Sequence, residues 1–394
     1  MSAPQKTHGM DGVLVEADWP PLTLAEVRSL LALYPALGEP IQILTVSPRP
    51  FSAASVVGTS SGRVFIKRHH RTIRNAEGLL EEHSFLAHLL FHGAPVPRVL
   101  VTASGQTAIE VEEWTYEVHE APDGLDVYQD ALSWTPFQTT AHAHSVGQAL
   151  ARLHLAAQGF AAPPRQPRPL VAGFTIFAAI DPLVEFEHYL TAHPLLATNT
   201  AVRVHFCQAF QLLAPFHAQL LPLLPALSTL WTHNDLHASN LLWSDTGPAA
   251  QATAIIDFGL ADRTNAVHDI AVAIERNIVE WLALVADPAH SEEVPVHFDH
   301  LLALLSGYES LRPLSTEEAA ALAPMTALCH AEFALTEVDY FLGVLRSDEK
   351  ATMAHDDYLV GHARWFHGAG RQLLDAIAQW ARARTPHPQH AGDR

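Results

Sequence analysis

The strand-like segments of this chain are concentrated in its first third, and this asymmetry most constrains the fold. Short β-prone runs bounded by turn residues lie before Ala121, at 41–46, 55–59, 63–67, 99–102, 107–112 and 115–119. After Pro122 the apolar residues recur at helical spacing, at 139–157, 183–192, 201–223, 265–284, 296–310, 317–345 and 356–382. Two short β-prone pieces, 241–243 and 254–256, interrupt this helical region.

A strand-rich front followed by a helical rear predicts an α+β fold with two lobes. The front lobe covers residues 1–121, of which 1–20 form an arm, and the rear lobe covers residues 122–394. The length of 394 residues and the 48% share of hydrophobic residues suffice for two lobes with buried cores. A cleft is therefore expected near residue 121.

Local signals place two helices in the front lobe and a linker behind it. Thr23 and Glu26 have the spacing of a capping box before a helical apolar pattern. A second helix is predicted at 77–91, because Gly93 follows it as a stop signal. The proline-rich stretch 163–169 is predicted to be a stiff linker.

The chain is acidic, with 23 Lys and Arg against 42 Asp and Glu and a net charge of −19. This charge argues against nucleic acid and anionic membranes as partners. The N-terminus lacks a basic segment followed by an apolar one, and no apolar run reaches the roughly 18 residues of a membrane helix. We therefore expect a cytoplasmic protein, either a monomer or a homodimer.

The most informative stretch is WTHNDLHASNLLWSDTGPAAQATAIIDFGLAD, at 231–262. It contains His233, Asp235 and Asn240, then two β-prone segments joined by a turn, then Asp257 followed by Phe-Gly. Phosphoryl transfer from a nucleoside triphosphate needs a carboxylate that accepts the hydroxyl proton and oxygen ligands that hold Mg²⁺. A hairpin of the two β-prone segments would bring Asn240 and Asp257 to one edge, so the spacing predicts phosphoryl-transfer chemistry.

The stretch resembles the aminoglycoside phosphotransferase and choline kinase superfamily, whose loops commonly have the pattern H-x-D-x-H-x-x-N-x-L. His237 favours this branch over eukaryotic protein kinases, which carry Arg between the His and the Asp. The resemblance implies a two-lobed protein-kinase-like fold, with a small antiparallel sheet in the front lobe and a larger, mostly helical rear lobe.

The resemblance also implies roles for the residues of this stretch. Asp235 would be the catalytic base, in a catalytic loop that begins at His233, and Asn240 and Asp257 would be Mg²⁺ ligands. Asp269, in the sequence DIA, matches the superfamily's buried acid that braces the catalytic loop.

Further matches precede the catalytic stretch. Lys67, in GRVFIKRHH, occupies the position of the superfamily's lysine that contacts the nucleotide phosphates, and it is one of only three lysines in the chain. A compact ammonium suits this role better than a planar guanidinium. The helix in LLEEHSFLAHLLFHGAPVPRVL resembles the one that carries the lysine's partner glutamate, for which Glu82 is the first candidate and Glu81 the second.

The nucleotide contacts are predicted from the same resemblance. Residues 116–120, including Glu117 and His119, would form the lobe connection that receives the adenine of ATP, with GTP as the alternative. No G-x-G-x-x-G motif is present, and neither is the G-x-x-x-x-G-K-[ST] of P-loop enzymes. The segment 47–57 takes the place of the glycine-rich loop, so backbone amides and Ser52 or Ser55 are the candidates for covering the phosphates.

The predicted acceptor is a hydroxyl of a small cationic molecule: an aminoglycoside, an amino alcohol or a hydroxy amino acid. Residues 1–121 have a net charge of −4 and residues 122–394 a net charge of −15, so the acidic rear lobe favours a cation. The resemblance places the pocket between the catalytic loop and the rear helices. The candidate lining residues are Glu275, Arg276, Glu332, Glu337 and Asp339.

Three alternatives stay open at this stage. A bacterial Ser/Thr protein kinase of the stress-response type shares the E-E-H helix and the H-x-D-x-H loop. A nucleotide-binding regulatory module without catalysis would usually have lost Asp235, Asn240 or Asp257. A metallohydrolase that uses the pair His268 and Asp269 would depend on a transition metal and not on ATP.

Overall fold

The computed structural model describes residues 6–8, 14–132 and 134–384. The strands are β1 (Lys6–His8), β2 (Leu14–Glu16), β3 (Pro40–Val46), β4 (Ala53–Thr59), β5 (Gly62–His70), β6 (Ala108–Val111), β7 (Trp114–Glu120), β8 (Thr229–Thr232), β9 (Leu241–Trp243), β10 (Ala252–Ile255) and β11 (Asp262–Asn265). The α-helices are α1 (Leu24–Leu31), α2 (Ala76–Phe91), α3 (Thr140–Ala157), α4 (Pro182–Ala192), α5 (Pro194–Thr198), α6 (Thr200–Leu220), α7 (Ala266–Ile278), α8 (Trp281–Ala286), α9 (Phe298–Glu309), α10 (Thr316–Leu328), α11 (His330–Tyr340), α12 (Asp348–Met353), α13 (His362–His367) and α14 (Arg371–Ala383). Two π-helical segments, Phe341–Leu345 and Ala354–Gly361, flank α12.

The front part of the chain forms a five-stranded antiparallel sheet in the order β3-β4-β5-β7-β6. Side chains alternate between the faces of a strand. Ile66 lies opposite Val118, and both pack with Leu30 of α1 in one apolar cluster. Lys67 lies opposite Glu117, so these two project from the other face, on which α2 lies. The sheet and the helical remainder confirm the α+β prediction.

The rear part is built from helices around one large apolar core, which contains the fully buried Trp231, Trp243, Trp281 and Trp365. Helices α3 and α9 lie in close contact, and α10 packs against α7, α6 and α14. The core also includes Phe85 of α2, so the helix under the sheet is packed onto the rear part.

Two short antiparallel pairs position the loops between the front and rear parts. The pair β9 and β10 is the hairpin predicted from the apolar pieces at 241–243 and 254–256. The pair β8 and β11 was not predicted, because Asp262–Asn265 reads Asp-Arg-Thr-Asn and carries no β-prone pattern. Together the two pairs place the turns after β8, before β9 and after β10 beside one another.

Three predicted elements differ from the structure. The run at 99–102 makes only a single bridge, Val99 to His119, because the sheet edge beside it is already occupied by β6 as far as Glu117. The long helical pattern at 265–284 ends at Ile278, since Val279 enters a bridge with Val296. The patterns at 317–345 and 356–382 are divided into several helices, the latter at Gly368, whose backbone is not helical.

The arm and the lobe boundary are only partly described. Strands β1 and β2 pair within the arm, whereas residues 1–5 and 9–13 lie outside the described part. The last strand of the sheet ends at Glu120, and the lobe boundary at residue 121 stays a prediction. In the described part of the chain, no helix combines the length and apolar character needed to cross a membrane.

Candidate active site

The turn after β8 is held by a buried carboxylate of α7. The backbone N–H groups of His233 and Asn234 donate to Asp269, at 2.9 and 2.7 Å. His154 of α3 donates from Nε2 to the same carboxylate at 2.9 Å. Burial would raise the pKa of Asp269, but these hydrogen bonds and the neighbouring imidazoles lower it. This brace is the contact expected for Asp269, and it fixes the backbone immediately before Asp235.

Asp235 lies at the tip of this turn, with its side chain about one-fifth exposed. His237 Nε2 lies 3.7 Å from Asp235 Oδ2, and Arg276 Nη2 lies 3.6 Å from Oδ1. Burial opposes ionisation, but His237 and Arg276 nevertheless lower the pKa of Asp235 below its usual value. The side chain is therefore an ionised acceptor that a substrate hydroxyl can approach.

Asn240 is oriented toward Asp235 and joined to the segment before Asp257. Its side-chain Nδ2 donates to the backbone oxygen of Asp235 at 2.9 Å. Its backbone carbonyl accepts from the N–H of Ile256 at 2.9 Å. His233 Nε2 lies 3.0 Å from the carbonyl of the same Ile256. The predicted hairpin thus brings Asp235, Asn240 and Asp257 to one edge.

Lys67 of β5 reaches across to Asp257, with 2.7 Å between Nζ and Oδ1. Burial alone would lower the pKa of Lys67, but the carboxylates of Asp257, Glu117 and Glu82 raise it. Burial would raise the pKa of Asp257, but Lys67 lowers it. The residue predicted to contact phosphates therefore lies directly beside the predicted metal ligand.

Glu82 is buried on α2, and its nearest cation is Arg165, 3.8 Å from Nη1 to Oε2. No ion pair between Lys67 and Glu82 occurs among the residues that the structure describes. Glu82 therefore acts on Lys67 electrostatically, without the direct contact that was predicted. Glu81, the second candidate, lies 3.5 Å from both Arg165 and Arg168.

The predicted nucleotide-contacting residues fall into two places. Ser52 is half-buried immediately before β4, and Ser55 is buried on β4. Glu117 and His119 lie within β7, where Glu117 accepts from His119 Nε2 at 2.8 Å. His69 and His83 also donate to Glu117, each at 2.9 Å. The side chains of Glu117 and His119 therefore belong to the buried face near Lys67, and their contact with adenine stays a prediction.

The candidates for the acceptor pocket do not act as one group. Glu275 and Arg276 lie beside the catalytic turn, whereas Glu332 accepts the N–H of Ile176 at 2.5 Å and holds another loop. Asp339 accepts from His193 Nδ1 at 3.0 Å. Glu332 and Asp339, both named as candidate lining residues, thus have separate partners, and their place in the acceptor pocket stays a prediction.

Three arginines were missed as contributors to the site. Arg49, in the segment that replaces the glycine-rich loop, donates to the carbonyl of Ala131 at 3.2 Å, and Asp126, Asp257 and Asp235 act electrostatically on its charge. Arg74 and Arg165 donate to the carbonyl of Gly259 at 2.7 and 2.9 Å. Five basic residues lie at 63–74, a concentration of charge that could have pointed to Arg74. Arg165 lies in the stretch 163–169, which was predicted to be a linker and so gave no such signal.

The fold and this site define a protein-kinase-like phosphotransferase. The chain belongs to the APH phosphotransferase enzyme family, whose model matches residues 51–314. It is accordingly a phosphotransferase with an alcohol group as acceptor. The predicted family and the predicted two-lobed protein-kinase-like fold are both confirmed.

Solved structures with the same fold include three kinases. A microcompartment-associated aminopropanol kinase has a TM-score of 0.57 and 16% identity, over 90% of this chain and 99% of that chain. The amicoumacin kinase hAmiN, in complex with AMP-PNP, Ca²⁺ and Ami, has a TM-score of 0.54 and 14% identity, over 87% and 95%. An aminoglycoside phosphotransferase from Alicyclobacillus acidocaldarius has a TM-score of 0.50 and 16% identity, over 92% and 97%. No curated protein sequence matches the chain significantly.

Proposed function

We propose that this protein transfers the γ-phosphoryl group of ATP to a hydroxyl of a small, amine-bearing molecule, with Asp235 as the catalytic base. The observation that carries the proposal is the convergence of Asp235, Asn240 and the Lys67–Asp257 pair at one edge of the β9–β10 hairpin. Phosphoryl transfer is catalysed mainly by positioning and charge neutralisation, and these groups supply a base, an ammonium and oxygen ligands.

The residues present fit a magnesium ion. Asn240 directs its amide nitrogen to Asp235, which leaves the amide oxygen free to coordinate a metal ion together with the carboxylate of Asp257. Amide and carboxylate oxygens are the ligands that Mg²⁺ prefers. When bound, Mg²⁺ would neutralise negative charge on the nucleotide phosphates. The chain's own contribution is to hold Lys67 near those phosphates and to keep Asp235 ionised.

The carboxylates near Asp235 support the proposal that the acceptor carries an amine. Glu337 of α11 is buried, and its Oε2 has no hydrogen-bond partner within the described part of the chain. Burial raises the pKa of Glu337 to about 8, and the nearby Asp235 and Glu275 add to the effect against Arg276. A protonated amine would supply the missing partner of Glu337. Aminopropanol, aminoglycosides and hydroxy amino acids all carry such an amine.

The acceptor screen tests the reaction class. Thermal shift with Mg-ATP or Mg-GTP is measured against a panel of amino alcohols, aminoglycosides and hydroxy amino acids, and products are identified by ³¹P NMR. A phosphorylated hydroxyl on a small amine is the expected result. Phosphate found only on a protein substrate would instead identify a protein kinase.

The variant Asp235→Ala tests the role of the base. We expect transfer to fall at least about 100-fold, because general base catalysis contributes a factor of that order or more. Nucleotide affinity, measured by calorimetry, should stay close to that of the unaltered protein, since Asp235 faces the acceptor. Asp245→Ala, on an exposed turn after β9, is the matched control. Turnover retained in Asp235→Ala would contradict the assignment.

A further inference from the structure

A narrow pocket lies between the catalytic turn and the rear helices, with room for a group about the size of one water molecule or hydroxyl. It is lined by Asn234 of the turn, by His268 and Arg276 of α7, by His330 and Phe333 of α11, and by Tyr358 of a π-helical segment. Arg276 connects it to the site, since its Nη2 lies 3.6 Å from Asp235 Oδ1. The pocket therefore adjoins the proposed base.

Several lining side chains are buried without hydrogen-bond partners. His268 Nε2, Arg276 Nε, His330 Nδ1 and the Tyr358 hydroxyl have none among the residues that the structure describes. Each of these four residues is 2% exposed or less. Buried polar groups are nearly always paired, and an unpaired one costs folding free energy. Four unpaired groups around one pocket indicate that a bound molecule supplies their partners.

The hydrogen bonds of the two imidazoles determine what they offer to the pocket. Asn234 Nδ2 donates to the carbonyl of Leu260 at 3.2 Å, so its Oδ1 faces His268 Nδ1, at 3.2 Å, as an acceptor. His330 Nε2 lies 3.2 Å from the carbonyl of Leu359. Each imidazole therefore carries its proton on the bonded nitrogen. The unpaired His268 Nε2 and His330 Nδ1 are lone-pair acceptors.

The pocket is poor in net charge. Burial lowers the pKa of His268 to about 4 and that of His330 to about 3, so both imidazoles are neutral near pH 7. Glu275 is paired with His362 Nδ1 at 2.9 Å and with Arg276 Nε at 3.5 Å. The two neutral accepting nitrogens match O–H and amide N–H donors, and Arg276 Nε can donate to the oxygen of such a group, whereas the amine is expected at Glu337.

We propose that this pocket binds an uncharged part of the acceptor that carries hydroxyl or amide N–H donors, with His268 Nε2 and His330 Nδ1 as the accepting atoms. The proposal rests on the proposed function, because it concerns the molecule that Asp235 deprotonates. It makes His268 and His330 determinants of acceptor specificity rather than catalytic residues.

The test uses His268→Leu and His330→Leu, which keep much of the side-chain volume and remove the accepting nitrogen. The probe is whichever of 1-amino-2-propanol, homoserine, spectinomycin and hygromycin B the unaltered protein phosphorylates fastest. We expect each variant to raise the acceptor KM about tenfold, with kcat and the KM for ATP changed less than about twofold. His300→Leu is the matched control, since His300 is buried on α9 with an unpaired Nδ1 but does not line the pocket.

A second measurement needs no variant. In ¹⁵N NMR spectra of the intact protein with labelled histidine, the two unprotonated nitrogens should shift upfield when the same probe is added at saturation. An unchanged acceptor KM in both variants, or unshifted ¹⁵N resonances, would show that the pocket holds water only and would overturn the proposal. Failure of the unaltered protein to phosphorylate any probe is a different result, which removes the proposed function and this proposal with it.

Discussion

At the residue scale, the environment of Lys67 explains why an ammonium stands here in a chain with only three lysines. The side chain is about one-tenth exposed and bonded to Asp257, with the carboxylates of Glu117 and Glu82 nearby. A compact cation fits this space, whereas a planar guanidinium is longer and demands several hydrogen-bond partners. The charge is therefore placed where polyanionic phosphates would replace or join Asp257 as its partner.

We expect Lys67→Met to lower kcat/KM for ATP about 100-fold or more, because one preorganised cation at a phosphoryl group is removed. Lys67→Arg should recover only part of the loss, since the guanidinium cannot take the same position. The measurement is steady-state ADP release at varied ATP. Arg63→Met, at an exposed position on the same strand, is the control. Equal kcat/KM in Lys67→Met and Arg63→Met would contradict the assignment.

Glu337 should make stability depend on pH. Its pKa of about 8 in the folded chain exceeds the usual 4.5, so proton binding favours the folded state. The stabilisation is complete below about pH 4.5 and is lost as the pH rises through about 8. Glu337→Gln removes this loss. We therefore expect the free energy of unfolding of the variant, relative to that of the unaltered protein, to increase as the pH rises from about 4.5 to about 8.

The comparison is made by urea unfolding at several pH values, without acceptor. Glu349→Gln, at an exposed position in α12, is the control and should follow the unaltered protein at every pH. A constant difference between Glu337→Gln and the unaltered protein from pH 5 to pH 8 would show that Glu337 does not titrate there.

At the element scale, α3 and α9 approach closely through one glycine on each helix. A Cβ added to Gly147 would lie 2.0 Å from the carbonyl oxygen of Leu304, and one added to Gly307 would lie 2.0 Å from that of His144. Both obstacles are backbone atoms, so the helices would have to move apart. This contact matters for the site because α3 also carries His154, which holds Asp269.

We expect Gly147→Ala and Gly307→Ala each to lower the free energy of unfolding by about 3 kcal/mol, at the upper end for overpacking. Gly78→Ala is the matched control on α2, where the added Cβ meets the flexible end of Arg168 instead of backbone. The control should be close to neutral. Denaturant midpoints measure all three, and a small effect at Gly147 would mean that the two helices separate easily.

At the scale of the whole molecule, the segment before α1 joins the front and rear parts. Lys350 donates to Asp18 at 2.5 Å, and the Tyr340 hydroxyl donates to the same carboxylate at 3.2 Å. On the front side, Trp19 stacks on His70 with ring centroids 5.1 Å apart. The ring of Phe51, in the segment that replaces the glycine-rich loop, also contacts Tyr340. These contacts form a junction between the front and rear parts.

We expect Lys350→Met to weaken this junction and to increase amide hydrogen exchange at residues 14–22 and 47–52. A double-mutant cycle with Asp18→Asn should give a coupling of about 1 kcal/mol or more, since the Asp18 side chain is only 7% exposed. The control is the exposed pair Arg203 and Glu187, which should couple less. Unchanged exchange at 47–52 would show that the pair does not hold the front and rear parts together.

The parts of the site that could be predicted from the sequence are those that follow from short spacing. Asp235 and Asn240 lie within one turn, and a hairpin returns the chain to Asp257, so their proximity depends on local geometry alone. The role of Lys67 could be predicted only from the resemblance to a known family, because the sequence around a lysine at the end of a strand does not show which residue it contacts. The prediction of a strand at 99–102 was wrong, because the pairing of a strand depends on which edge of the sheet is vacant.

The sequence by itself determined the family, the α+β lobes and the residues around the catalytic loop, because periodicity, turn residues and motif spacing are local properties. Only the tertiary structure decided that Arg165 holds α2 and that Glu332 and Asp339 have separate partners. It alone placed the unpaired nitrogens of His268 and His330 around one pocket. The reason is physical: the free energy of a buried polar group depends on which distant segments surround it, and that arrangement exists only in the folded chain.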